Sequence, residues 1–176
     1  MATRRIEFQI RELDNSLERL SKRDNAIFRR ILELYSTRDM LHANVLASEL
    51  SELRKVEKML VQAKLALEGI VLRLRTVSEL GDIITVLAPA AGVIKNIQSG
   101  MVGVFPSANK ELENIGTLLT EFVSSANQTT GLPVNVETAN EEAEKILNEA
   151  ASIAEQRIKE KLPEVITEAE AKKKLN

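Results

Sequence analysis

Few side chains in this sequence of 176 residues belong to the types that do covalent or metal chemistry. There is one histidine, His42, and no cysteine, so metal clusters, nucleophilic thiolates and disulfides lack their raw materials. The glycines at 69, 81, 92, 100, 103, 116 and 131 follow no spacing that would cradle a phosphate. No catalytic residue, metal ligand or cofactor is expected, and the chain reads as a protein that is not an enzyme. What remains is charge. Arg4, Arg5, Arg11, Arg19, Lys22 and Arg29 fall on the outer positions of one helical stretch, against Glu12, Glu18 and Glu33. Their surplus of positive charge suits an anionic surface, each basic residue contributing about 1 kcal/mol beside an anionic leaflet. The plain alternative is a charged face that only solvates its helix.

The elements that must position these charges are legible from a seven-residue apolar period. Leu46, Leu53, Leu60, Leu67 and Leu74 are shadowed by Val56, Ala63, Ile70, Val77 and Ile84, the pattern of a helix that keeps one seam against a partner. Upstream, Ile6, Leu13, Leu20, Ile27 and Leu34 form one seam row and Ile10, Leu17, Asp24 and Ile31 the other. Only Ser36, Thr37, Arg38 and Asp39 separate the two runs, with Asp39 placed to cap the second. A connection that short makes an antiparallel hairpin. The fold class expected is all-α: a long hairpin with unequal arms over residues 4–87, shorter packing helices over 89–127, and a mobile acidic C-terminal helix.

At 1.5 Å per residue, arms of about 45 Å and 75 Å leave the second overhanging by about 25 to 30 Å. Leu74, Val77 and Ile84 then have no partner in the first arm, and Val61, Leu65 and Leu72 lie off the seam. Each such side chain left in water forgoes about 1.5 to 3 kcal/mol, so later helices or another copy of the chain must cover them. These six are the candidate polymer interface. Asp24 is the one carboxylate in the first seam; the antiparallel count sets it near Arg54, a pair that would fix register.

Past the hairpin, Pro89 and Gly92 read as a joint, with a third helix from Pro89 to Val104 and a fourth from Ser107 to Asn127. Residues 129–139, with Gly131 and Pro133, read as a flexible linker. An acidic helix follows, Glu141 to Lys161, with a weak apolar stripe of Ala143, Leu147, Ala150, Ala154 and Ile158, and then a tail to Asn176. Residues 1–80 hold 15 Lys and Arg against 12 Asp and Glu, while 107–170 hold 5 against 13. An acidic segment behind a linker can fold back on a basic hairpin. With 3% aromatics, no Trp and a net charge of −2, nucleic acid is not an expected partner. No signal peptide or bilayer-spanning stretch is read, and an intracellular, soluble protein is expected.

Residues Leu53, Arg54, Lys55, Val56, Glu57 and Lys58 are followed by Ala66, Leu67, Glu68, then by Val71, Arg73, Leu74, Thr76, Val77. With Glu79, Leu80, Gly81, Asp82, Ile83 and Pro89, they resemble the core of archaeal ESCRT-III proteins, the CdvB group of the cell-division machinery. Arg23, Asp24 and Phe28 fit the first helix of that pattern, and the resemblance spans residues 4–125. It implies a basic hairpin that polymerises with itself and with ESCRT-III paralogues. The polymer would form on the anionic inner face of the cell membrane at the division site and constrict it. It also implies a MIT-domain AAA ATPase, CdvC, that remodels the polymer. Leu162, Pro163 and Val165 match the first half of the proline-containing MIT-interacting motif; its second proline is absent, since Ile166 and Thr167 follow, and Leu132, Pro133 and Val134 are the other candidate. No winged-helix segment of the kind that meets CdvA is read before Asn176. The rival class is a generic coiled-coil scaffold or adaptor, which explains heptads but neither overhang nor charge split.

Overall fold

A computed structural model of the chain describes residues 2–76, 80–100, 106–131 and 136–161. These form five helices: α1 (Ala2–Ser36), α2 (Met40–Thr76), α3 (Leu80–Gly100), α4 (Pro106–Thr130) and α5 (Val136–Lys161). The described residues contain no strand, and the all-α expectation holds.

α1 and α2 form the expected hairpin, on the expected seam. Ile6, Leu13, Leu53, Val56, Leu60, Ala63, Leu67 and Ile70 are buried, and Ile10, Leu17, Leu20 and Leu74 pack half-buried against them. The reversal is set by capping at both helix ends. Asp39 N–H donates to the Leu34 carbonyl at 2.9 Å and Arg38 N–H to the Tyr35 carbonyl at 3.1 Å, the paired bonds of a Schellman stop. Arg38 occupies the left-handed position of that stop, φ 59°, where glycine is usual. Asp39 then caps α2, its Oδ1 accepting from the His42 backbone N–H at 3.3 Å. The His42 ring lies 2.8 Å from the same carboxylate and holds it below the usual carboxylate range.

The arms are not unequal. α2 ends at Thr76, so the two helices have 35 and 37 residues and run for about 53 Å and 56 Å. The expected joint at Pro89 is instead the interior of α3. Proline inside a helix costs about 3 kcal/mol. Against that, Ile84, Leu87, Ala90, Val93, Ile94 and Ile97 are buried on both sides of Pro89, the larger of them worth about 1.5 to 3 kcal/mol each. The apolar face of α3 starts in phase with the α2 heptad, so the two helices read as one. The linker is likewise shorter than 129–139, because α4 runs to Thr130 and α5 starts at Val136. Gly131, φ 64°, ends α4 with its N–H on the Asn127 carbonyl at 2.9 Å.

The later helices fold back on the hairpin. α4 runs antiparallel to α1: Glu111 meets Ser16 and Arg19, and Phe122 lies under Arg5. α5 runs antiparallel to α2, where Gln62 donates to the Leu147 carbonyl at 3.0 Å and Lys58 pairs with Glu155 at 3.7 Å. α3 packs on α2, α4 and α5. It meets α4 and α5 at glycines: a Cβ on Gly92 would come within 3.3 Å of the Ala143 Cβ. Toward the turn the hairpin carries its own smaller core, Ile31, Leu50 and Leu53 with Ile27, Phe28, Tyr35, Leu46 and Ala47 around them, supplied by α1 and α2 alone. The tip is thus two helices thick, and Leu32, Leu41 and Val45 are exposed there.

Candidate functional site

The outer face of α1 presents all six cations of the basic set, Arg4, Arg5, Arg11, Arg19, Lys22 and Arg29, as exposed residues. Their surroundings divide them. Arg19 braces α4: its Nη2 donates to Ser16 Oγ at 2.7 Å and to Glu111 at 3.3 Å, while the buried Ser16 hydroxyl donates to Glu111 at 2.7 Å. Arg5 lies over the Phe122 ring, 5.6 Å from its centre. Lys22 pairs with Glu18 at 2.8 Å and holds that carboxyl below its ordinary range. Arg11 stands over Phe8, which is half-exposed, at 6.0 Å. No ion pair is recorded for Arg4, Arg11 or Arg29 among the described residues, and these three are spaced along nearly the whole helix. Such a row can meet a planar anionic surface but cannot enclose a small ligand.

The candidate polymer residues are scattered. Ile84 is buried in the chain's own core at 5% exposure, and Leu65 and Leu74 are half-buried against that core. Val61 lines a cavity between α1, α2 and α5. These four are therefore covered or lined by helices of the same chain, because α3 and α5 fold back where an overhang was expected. Leu72 alone is open, at 63%. Val77 lies outside the described residues, as do Leu162, Pro163 and Val165 and the alternative Leu132, Pro133 and Val134.

Asp24 and Arg54 do meet. Arg54 Nε donates to Asp24 Oδ2 at 2.7 Å and Nη2 to Oδ1 at 3.1 Å, with the Asp24 side chain fully buried and Arg54 15% exposed. This two-point contact bridges the hairpin just where the five-helix body gives way to the two-helix tip. One turn along α2 from Arg54, Glu57 is buried as well, and its Oε1 has no hydrogen-bond partner. Burial, together with the Asp24 charge, pushes its carboxyl up to about 7, the Arg54 cation opposing. Sequence reading missed Glu57 because it sits beside the heptad seam, where α1 and α5 together cover it. It missed Ser16 and Glu111 because a serine and a glutamate 95 residues apart carry no shared pattern.

Among the described residues, no group of three His, Cys, Asp or Glu side chains could hold a metal ion, and no helix is long and apolar enough to cross a membrane. In comparisons with known proteins, the chain is 40% identical over 159 residues to Cell division protein B1 of Sulfolobus acidocaldarius, covering 90% of this chain and 74% of that protein. It is 30% identical over 156 residues to Cell division protein B of the same organism, covering 87% of this chain and 59% of that longer protein. No protein-family model and no solved structure matches it.

Proposed function

This chain belongs to the CdvB group of archaeal ESCRT-III proteins, which act in cell division, and on that premise we propose that it is a polymer-forming subunit that gathers on anionic membrane and remodels or constricts it. The observation that carries the proposal is the row of cations on α1, Arg4, Arg11 and Arg29, that have no carboxylate partner among the described residues. Three such residues contribute about 3 kcal/mol at an anionic leaflet, weaker than millimolar binding for one subunit. A filament presenting many rows binds through avidity, so attachment and assembly become a single event. Phe8 adds an apolar side chain within the same row.

On this reading α5 is the cover of the inactive subunit: acidic overall, it occupies the α2 face on which Val61 and Leu65 lie, leaving Leu72 as the open part of the assembly surface. The Asp24 to Arg54 pair holds the hairpin in register. Leu162, Pro163 and Val165, just beyond α5, are the candidate docking segment for a MIT-domain AAA ATPase that takes the polymer apart. The subunit would sit peripherally on the inner face of the membrane at the division site.

Electron microscopy of the purified chain with anionic liposomes is the test. Filaments, rings or coated tubules are expected, and the triple variant Arg4→Glu, Arg11→Glu, Arg29→Glu should leave the vesicles bare. Smooth vesicles beside dispersed particles at low salt, both with the parent chain and with Gly92→Val, which loosens the α5 cover, would overturn the proposal.

A further inference from the structure

The buried carboxylate of Glu57 has no role in the hairpin seam, the basic row or the Asp24 to Arg54 pair. It lies at the junction of three helices, beside a cavity of about 470 Å³ that Leu17 and Ser21 of α1, Val61 of α2 and Ile158 of α5 help to line. The charged groups around that cavity are Asp14, Glu18 and Lys22 from α1, Lys64 from α2 and Arg157 from α5. Asp24 of α1 and Arg54 of α2 complete the electrostatic surroundings of Glu57. Nearly all of these are already matched. Lys64 is paired with Asp14, Lys22 with Glu18 and Arg54 with Asp24. Glu57 Oε1 is buried and unpartnered, and Arg157 on the α5 wall makes no ion pair among the described residues.

From this geometry we infer that α5 is a proton-linked latch: it closes over Glu57 most firmly when that carboxyl carries a proton, and loosens when the carboxyl ionises. An ionised carboxylate without a hydrogen bond is among the costliest groups to bury, whereas the neutral acid has a far smaller cost. With α5 released, part of the burial is relieved and the carboxyl falls back toward its ordinary 4.5; with α5 closed it is pushed up to about 7. The closed chain therefore binds the proton more tightly. Closure is at full strength below the lower value, weakens as pH rises between the two, and carries the whole cost of the buried ion above the upper one. The closed-to-open ratio falls by some tens of times, as an order of magnitude, from about pH 5 to about pH 8. Arg157 lines the same cavity but forms no ion pair with Glu57 in the closed arrangement, which leaves the proton as the neutralising partner.

The latch rests on the reading of α5 as a removable cover, but its test uses neither membrane nor filament. Native-state hydrogen exchange of the α5 amides around Ile146 to Ala154 would be measured in the full chain and in Glu57→Gln, which keeps shape and removes the charge. Comparison at one pH cancels the intrinsic exchange rate. At about pH 8 the variant should protect α5 by up to a few hundred times more than the parent and at about pH 5 by only a few times, so that the ratio between them changes by some tens of times. The same ratio at both values, including no difference at either, overturns the latch. Ala154→Asp, which forces a charge into a fully buried α5 contact, separates the two ideas. If it lowers α5 protection while the ratio stays flat, the latch falls and the removable cover stands.

Discussion

Deleting Arg54 and deleting Asp24 remove the same ion pair, yet the two losses should differ. The Asp24 side chain is fully buried, and without Arg54 its carboxylate is sealed with no cation in contact; leaving a buried charge unpaired costs about 3 to 5 kcal/mol. Arg54 is 15% exposed on a long flexible stem. Without Asp24 its guanidinium can turn to water, so the loss is that of a charged hydrogen-bonded pair, about 2 kcal/mol. Glu57 widens the gap, because Arg54 is also the cation that favours its ionised form. The expected order is Arg54→Met worse than Asp24→Ala. The double variant Asp24→Leu, Arg54→Met should lie within about 1 kcal/mol of the parent or above it, since apolar replacement of both partners is often neutral or stabilising. Urea unfolding followed by helical circular dichroism reads all four proteins, with midpoint shifts converted through the m-value. Equal losses for the two single variants, or a double variant that simply adds them, would refute the argument. Asp24→Ala should still fold and yet assemble less well; undiminished assembly speaks against a register role for the pair.

Arg38 occupies a left-handed position where a side chain costs about 1 kcal/mol or more, so Arg38→Gly should raise stability by about 0.5 to 1 kcal/mol, read as a higher melting temperature. Glu111→Ala removes the acceptor shared by buried Ser16 and Arg19 and should cost about 1 to 3 kcal/mol in urea unfolding, with exchange rising first in α4. Gly92→Val drives a branched side chain into Ala143, already 3.3 Å from a bare Cβ, and should expose the amides of α5 to exchange; unchanged protection refutes the close-packing argument. The same variant should increase filament formation if α5 is a cover. Raising salt from about 0.05 M to about 0.5 M should release the parent chain from anionic vesicles, and salt-insensitive binding would rule out the cation row as the attachment.

The hairpin could be read from the sequence because its information is local and periodic. Leucines every seventh residue, a polar break and a capping Asp39 fix the seam, the turn and the direction of the arms, and the count from the turn paired Asp24 with Arg54 correctly. The end of α2 could not be read that way. Residues 70 and 84 are spaced as though on one helix, and nothing local distinguishes a heptad that continues from one that resumes on a returning helix. Pro89 misled for a related reason, since its cost is local and the burial that outweighs it comes from three other helices. The stripe of Ala143, Ala150 and Ala154 was legible, and all three are buried, but its destination on α2 was not. Of the cation row, the residue types could be read and the split between bracing Arg19 and unpaired Arg4, Arg11 and Arg29 could not, because it depends on where α4 lands.

Only five residues, 131–135, separate α4 from α5. A tether that short confines α5 to a small volume around its seat, at an effective concentration of millimolar order. A free protein in dilute solution cannot compete with that, however well its own α5 fits a neighbour. Crowding on a surface changes the comparison, since subunits confined to two dimensions meet at similar local densities. On the proposed reading of α5 as a removable cover on a surface-bound subunit, exchange of α5 between neighbours would become a matter of packing density, and the short tether would make the chain a gauge of how many copies surround it.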